Sequence, residues 1–151
     1  MKQRSVVTQF GPLTVTDEAG AITRLSWGAA DHQVSSPLLD QAVDQIRRFD
    51  AGELSAFNLP LRVEGNGFLR AVCDVILAIP FGETCTYGDI AKKLGASAQS
   101  VGQACGQNPI PVIIPCHRVM GAKGLTGYSG AGGIETKIAL LRHEGAAGLL
   151  I

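Results

Sequence analysis

The apolar residues near the start of the chain alternate with polar ones, which is the two-residue period of half-buried β-strands. Turn-forming residues, including Gly11-Pro12 and Ala19-Gly20, separate the alternating runs. This pattern predicts a small antiparallel sheet. Its three strands are expected at Val6–Thr8, Leu13–Thr16 and Ile22–Trp27.

The period then lengthens to that of a helix. Between Pro37 and Phe49 apolar side chains recur every three or four residues with charged residues between them, which predicts an amphipathic helix. Residues Phe57–Val63 are expected to form an edge strand. The run Gly65-Asn66-Gly67 marks the best boundary in the sequence, so two lobes are predicted, at residues 1–65 and 66–151.

The second lobe is predicted to be mostly helical. One helix covers Phe68–Ile79. Thr86 is suited to cap a short helix that stops at Gly95, and Ser97 is suited to begin another. Two short helices joined by a tight turn form a helix-turn-helix, whose second helix commonly docks against DNA. The predicted fold class is therefore α+β in two lobes, an antiparallel sheet with one helix followed by a mostly helical lobe.

Length and composition limit the classes of protein to which the chain can belong. Its 151 residues, 46% of them apolar, suffice for an ordinary hydrophobic core. The longest apolar runs are far shorter than the roughly 20 residues that cross a bilayer. No signal-peptide pattern follows Met1, so a cytoplasmic protein with no membrane association is expected.

The cysteines and the charges add two further restrictions. The four cysteines form no C-x-x-C pair and lack the spacing of zinc ligands, so neither a metal nor another cofactor is predicted. Thirteen basic and thirteen acidic residues balance, which argues against binding nucleic acid through bulk charge alone. The second lobe carries a small positive excess and the first lobe a small negative one.

The most reactive segment of the sequence is Pro115-Cys116-His117-Arg118. Nearby positive charge lowers the pKa of a thiol, so Cys116 is a candidate nucleophile. Adjacent side chains of an extended segment point to opposite faces, so His117 is expected to reach the Cys116 proton through a water unless the backbone bends. Glu144, in a helix predicted at residues 138–144, is a candidate to orient His117.

On the residues alone, an inert buried thiol is the commoner fate of a cysteine. That interpretation is kept for Cys73, Cys85 and Cys105, which lie in apolar patterns without a basic neighbour. His143 is interpreted as a surface histidine near the C-terminus of a helix.

The chain resembles the O6-alkylguanine-DNA alkyltransferases, and several motifs carry the resemblance. They are Pro115-Cys116-His117-Arg118-Val119, Asn108-Pro109, Gly127-Tyr128-Ser129-Gly130, Ile79-Pro80-Phe81-Gly82 and Leu140-Leu141-Arg142-His143-Glu144-Gly145. The family's order is followed from Phe68 to Glu144. Residues 1–65 are similar to the family's more variable first lobe, a ribonuclease-H-like antiparallel sheet.

The resemblance implies single-turnover DNA repair. An alkyl group on O6 of guanine, or on O4 of thymine, would move irreversibly to Cys116 after the base is flipped out of duplex DNA. His117 would activate the thiol through a water, Glu144 would orient His117, and Asn108 would hold the turn. Tyr87 would donate a proton to the departing guanine.

The resemblance also implies the contacts with the base and with DNA. The base pocket is expected from Val119, Tyr128, Ser129 and Gly130, with the carbonyls of Cys116 and Val119 accepting from the exocyclic amine. A monomer is expected to bind the minor groove. The residues implied for DNA contact are Thr86, Tyr87, Ala98, Gln99, Ser100, Gly102 and Arg118.

Gln99 is a departure from the family, which usually has an intercalating arginine at this position. Glutamine lacks the positive charge, so weaker DNA binding or slower base flipping is expected.

Two other functions stay open at this point. A lesion sensor of the alkyltransferase-like kind would bind without reacting, but those relatives replace the cysteine, whereas Cys116 is present. A cysteine hydrolase would use Cys116 and His117 with Asn108 or Glu144, and would release many product molecules per protein.

Overall fold

The structure is a computed structural model that describes residues 1–121 and 133–146. The chain divides into two compact units, Met1–Glu64 and Gly65–Ile151.

The first unit is built on an antiparallel sheet of three strands in the order β1-β2-β3. The strands are β1 at Lys2–Thr8, β2 at Gly11–Glu18 and β3 at Ala21–Trp27. The predicted sheet is confirmed, and each strand is longer than predicted because the residues that flank it join the pairing.

One helix, α1 at Pro37–Asp50, covers this sheet. The Ser36 hydroxyl accepts a hydrogen bond from the Leu39 N–H at 3.1 Å and donates one to Asp17 on β2 at 2.9 Å. This cap both starts the helix and ties it to the sheet. The apolar face that predicted the helix is buried, and it consists of Leu39, Ala42, Val43, Ile46 and Phe49.

The edge strand expected at Phe57–Val63 is reduced to one bridge. Leu61 pairs with Ile22 on β3, where the Ile22 N–H donates to Pro60 O at 2.8 Å and the Arg62 N–H donates to Ile22 O at 2.9 Å. Proline has no N–H to donate, so Pro60 cannot extend the ladder.

The second unit is mostly helical, as predicted. Its helices are α2 at Gly67–Leu77, α3 at Tyr87–Leu94, α4 at Ala98–Gly106 and α5 at Ile134–His143. Two short strands, β4 at Cys85–Thr86 and β5 at Val119–Met120, pair in parallel. This pairing places the start of α3 beside the segment that follows Cys116.

The predicted helix-turn-helix is present as α3 and α4, which pack together. Thr86 and Asp89 exchange two hydrogen bonds of 3.0 Å in a capping box at the start of α3. Gly95 ends the helix in the left-handed conformation, with φ 64° and ψ 39°. Ser97 then caps α4 by accepting from the Ser100 N–H at 3.1 Å.

The fold class is therefore α+β, as the sequence predicts. In the part of the chain that the structure describes, no helix has both the length and the apolar character needed to cross a bilayer.

Two glycines of the helix-turn-helix provide a matched test of this geometry. Gly95→Ala places a side chain at positive φ and is expected to lower the free energy of unfolding by about 1 kcal/mol. Gly102 lies within α4, where an added Cβ meets no atom within 4 Å. Gly102→Ala is therefore expected to raise the free energy of unfolding by about 0.5–1 kcal/mol. Urea unfolding measures the change in the free energy of unfolding for each variant. Changes of the same sign and size would contradict the left-handed turn at Gly95.

Candidate active site and nucleic-acid interface

A tight turn controls how the chain enters Cys116. The Asn108 side chain spans it, with Nδ2 donating to Ile114 O at 2.8 Å and Oδ1 accepting from the Ile110 N–H at 3.0 Å. Val112 within the turn is buried and has φ 70°, a rare conformation for a β-branched residue. Such strain persists only where the surrounding contacts enforce it, so the backbone approaching Cys116 is closely fixed.

Cys116 begins a 3₁₀ turn that ends at Arg118. The expectation of an extended segment here is wrong, because the Arg118 N–H donates to Pro115 O at 2.9 Å and the Val119 N–H donates to Cys116 O. The backbone therefore bends at Cys116, so the side chains of Cys116 and His117 are not held on opposite faces of an extended strand. Cys116 is 5% exposed and His117 is fully buried.

Glu144 lies at the end of α5 and contacts His117 directly. The Nε2 of His117 and the Oε2 of Glu144 are 2.8 Å apart, and both side chains are fully buried. Burial alone would raise the pKa of Glu144, but hydrogen bonds from His117 and Arg118 outweigh it and hold the pKa at about 2. An ionised carboxylate only accepts hydrogen bonds, so the proton in this contact belongs to His117 Nε2.

The other ring nitrogen of His117 has a different environment. Nδ1 is buried, and within residues 1–121 and 133–146 it has no hydrogen-bond partner. Burial is the main cause that lowers the pKa of His117, Glu144 opposes it, and the charges of Arg118 and Lys137 lower it further. A neutral imidazole that carries its proton on Nε2 presents a lone pair at Nδ1.

Arg118 was expected to contact DNA, and the structure places its side chain in the interior. Its side chain is buried and its guanidinium forms a fork with Glu144, from Nε to Oε1 at 2.8 Å and from Nη2 to Oε2 at 2.9 Å. The third nitrogen, Nη1, donates to Ile79 O at 2.6 Å. The guanidinium is thus occupied by protein groups, and it belongs to the interior.

Lys137 is a site residue that sequence reasoning missed. It is buried, its Nζ donates to Val119 O at 2.6 Å, and it lies 5.9 Å from the centre of the Tyr87 ring. Burial lowers the pKa of Lys137, and the charges of Cys116 and Cys105 oppose that shift. Lys137 shares a helix face with Leu140, Leu141 and Glu144, and this spacing is the signal that could have revealed it.

The pKa values of the other three cysteines are raised. Burial raises the pKa of Cys73 to about 11 and that of Cys105 to about 12. Burial and the charge of Asp89 also raise the pKa of Cys85. These thiols are protonated at neutral pH and are therefore poor nucleophiles.

The residues predicted for DNA contact lie on the outer side of the helix-turn-helix, Arg118 excepted. Ala98 and Gln99 are exposed on α4, and Ser100 and Gly102 are half-buried beside them. Thr86 and Tyr87 are half-buried at the start of α3. Tyr128, Ser129 and Gly130, which were predicted for the base pocket, lie outside the described residues.

Comparison with known proteins begins with a family model. The model of the 6-O-methylguanine DNA methyltransferase, DNA binding domain, matches residues 67–146. The methylated-DNA–protein-cysteine methyltransferase of Mycobacterium tuberculosis is 42% identical over 151 residues, which cover 93% of this chain and 90% of that protein. A protein of the same name from Methanosarcina acetivorans is 46% identical over 109 residues, covering 70% of this chain and 69% of that protein.

Solved structures extend the similarity to the fold of the whole chain. The crystal structure of Mycobacterium tuberculosis OGT in complex with DNA is 41% identical, with a TM-score of 0.85, and the match covers 99% of this chain and 98% of that chain. The crystal structure of the Mycobacterium tuberculosis O6-methylguanine methyltransferase is 40% identical, with a TM-score of 0.82, covering 95% and 92%.

The buried ionisable groups predict a loss of stability in acid. His117 has a lower pKa in the folded chain than in the unfolded chain, so the unfolded chain binds more protons below about pH 6.5. Glu144 acts in the same direction as pH falls from 4.5 towards 2. The free energy of unfolding is therefore expected to be highest near neutral pH and to fall on acidification.

Urea unfolding at pH 7.0, 6.0 and 5.0 measures this dependence. His117→Gln should flatten it over that range, whereas His32→Gln, which changes an exposed histidine, should leave it unchanged. If the free energy of unfolding fell equally with pH in the native chain and in His117→Gln, His117 would not be the source of the acid sensitivity.

Proposed function

Since this chain belongs to the methylated-DNA–protein-cysteine methyltransferase family, we propose that it repairs O6-alkylguanine in duplex DNA by taking the alkyl group onto Cys116. The proposal makes it a single-turnover protein, because the thioether that forms on Cys116 has no route back to the thiol. We extend the proposal to O4-alkylthymine, in which the alkyl carbon is likewise bonded to an exocyclic oxygen.

One observation carries the chemistry of this proposal, namely the two unlike nitrogens of His117. Nε2 is held by an ionised carboxylate, while Nδ1 is buried and lacks a partner among the described residues. This is the arrangement of a general base whose tautomer and orientation are fixed by a second group. Cys116 is the adjacent residue on the same 3₁₀ turn, so its thiol is the proton donor nearest in sequence.

The transfer then proceeds by proton removal and displacement. As the family resemblance implies, a water carries the proton of Cys116 Sγ to His117 Nδ1, which forms an imidazolium beside the Glu144 carboxylate. The sulfur attacks the alkyl carbon, the new S–C bond forms as the C–O6 bond breaks, and guanine leaves with the electron pair of that bond. The charge of the imidazolium offsets the charge of the thiolate until the displacement is complete.

The departing guanine anion must then take up a proton. Tyr87 begins α3 beside the β4-β5 pair, and we assign its hydroxyl the role of proton donor to the base. The Lys137 ammonium, 5.9 Å from the Tyr87 ring centre, favours the tyrosinate that this step forms. The Val119 carbonyl retains a lone pair beyond its bond to Lys137, which suits it to accept from the guanine amine.

The DNA partner fits the outer face of α4. Side chains there are small and uncharged, and an added Cβ at Gly102 meets open space, so the backbone can approach a narrow groove closely. We propose that α4 enters the minor groove and that Gln99 fills part of the gap left when the damaged base is flipped out. Extrusion is required because an in-line attack cannot reach a carbon within the base stack.

Mass spectrometry tests the proposed transfer. Incubation with a duplex that contains one O6-methylguanine should add one methyl group to each protein molecule, and peptide mapping should place it on Cys116. Cys116→Ser should gain none, because it retains the size of the site but lacks the thiol.

Cys105→Ala is the matched control, since Cys105 is a buried thiol that the proposal leaves unreactive. Its reaction should match that of the native chain. Tight lesion binding without a mass gain would identify a sensor instead, and catalytic turnover of a thioester would identify a hydrolase.

The uncharged Gln99 gives a prediction for DNA affinity. Gln99→Arg is expected to tighten binding to an O6-methylguanine duplex and to speed transfer, because it adds a cation on the exposed face of α4. The slope of log affinity against log salt should steepen by about 0.9, the value for one further phosphate contact.

Gln41→Arg adds the same charge at an exposed position of α1 and should leave the slope unchanged. An unchanged or lower affinity and rate for Gln99→Arg would contradict the role given to α4.

A further inference from the structure

We infer that Arg118 is a positioning residue that keeps His117 neutral by serving as the permanent counter-cation of Glu144. This inference rests on the proposed function for its kinetic consequence, but not for its charge assignment. The family resemblance suggested DNA contact for Arg118, and the geometry gives it a different task.

The guanidinium of Arg118 makes a bidentate contact with Glu144. Both carboxylate oxygens of Glu144 accept from the guanidinium, at 2.8 and 2.9 Å, in the bidentate form that favours arginine over lysine. The Ile79 carbonyl, at 2.6 Å from Nη1, and the Phe81 ring, 5.8 Å from the guanidinium carbon, hold the group from its other sides. Arg118 is therefore fixed in this position by two parts of the second unit, the end of α5 and the segment after α2.

The buried cluster contains an ionised carboxylate, Glu144. Removing an unpaired ion from water is costly, so a buried carboxylate requires one nearby cation. Histidine alone would satisfy that need by becoming an imidazolium, and it would then have no lone pair with which to accept a proton. Arginine remains protonated at all relevant pH values, so it neutralises Glu144 permanently and leaves His117 uncharged.

Other titratable groups lie on α5 and α2, the two helices that contact the 3₁₀ turn carrying His117. From α5, Glu144 favours the imidazolium while Lys137 opposes it. From α2, which packs against the 3₁₀ turn, Cys73 is an uncharged thiol at neutral pH, and Asp74 and Arg70 are exposed. Arg118 is thus the cation that contacts the same carboxylate as His117. Removing its charge should therefore change the protonation state of His117 most directly.

Titration of His117 by NMR tests the inference on the full-length chain without DNA. With ¹⁵N-labelled histidine, the His117 signals are identified by their loss in His117→Gln. In the native protein His117 should be neutral at pH 7 with its proton on Nε2. In Arg118→Gln the titration midpoint should move upward, so that the imidazolium is present at pH 7.

Two further variants separate charge from shape. Arg118→Lys keeps the cation and should keep His117 neutral. The double variant Arg118→Gln/Glu144→Gln buries no unpaired charge, and it should return His117 to the neutral form. Arg142→Gln removes an exposed charge from the same region and should leave the titration unchanged.

Transfer kinetics supply the second readout. Arg118→Gln should slow methyl transfer at pH 7 by about tenfold for each pH unit by which the His117 titration midpoint exceeds 7, and the rate should recover as pH rises. A purely structural role would lower the rate equally at every pH.

An imidazolium in the native chain at pH 7, or an unchanged midpoint in Arg118→Gln, would overturn the inference. Should Arg118→Gln fail to fold, an imidazolium at pH 7 in Arg118→Lys or in the double variant would overturn it equally. Failure of methyl transfer in the native chain would refute the proposed function and leave the titration results to decide on Arg118.

Discussion

A buried carboxylate shared between an imidazole and a guanidinium organises the second unit of this protein. Glu144 accepts from His117 with one oxygen and from Arg118 with both, and none of the three residues is more than 7% exposed. These contacts connect the end of α5, the 3₁₀ turn and, through the Ile79 carbonyl, the segment after α2. Disruption of one member would leave a charge or a polar group unpaired in the interior, which is strongly destabilising.

Cys116 and the other thiols have different neighbours in the second unit. Burial raises the pKa of Cys73, Cys85 and Cys105, so these residues stay protonated and serve as small apolar side chains. Cys116 instead follows a turn fixed by Asn108 and adjoins a neutral imidazole. The charged residues of the reactive cluster face inward, whereas the side chains of the proposed DNA surface on α4 carry no charge.

Prediction from sequence worked where the cause is local. Thr86, Gly95 and Ser97 act through hydrogen bonds and backbone conformation within one helical turn, so the helix-turn-helix was found from the residues alone. The pairing of Glu144 with His117 was a hypothesis from motif and resemblance, and the structure places the two in contact. The buried contacts of Arg118 and Lys137 were not predicted, because their partners are carbonyls and carboxylates brought close only by tertiary packing. The bend at Cys116 is made by hydrogen bonds from the Arg118 and Val119 N–H groups to residues three positions earlier, which the extended interpretation of this segment did not include.

The central claim is that a neutral His117, protonated on Nε2, receives the Cys116 proton through a water at Nδ1. Neutron diffraction from crystals exchanged into deuterated buffer at neutral pH tests it most directly, since it locates the exchanged positions. The account predicts a deuteron on Nε2, none on Nδ1 or on the Glu144 carboxylate, and a water that bridges Nδ1 and the Cys116 sulfur. A deuteron on Nδ1, a protonated Glu144 or the absence of that water would contradict it.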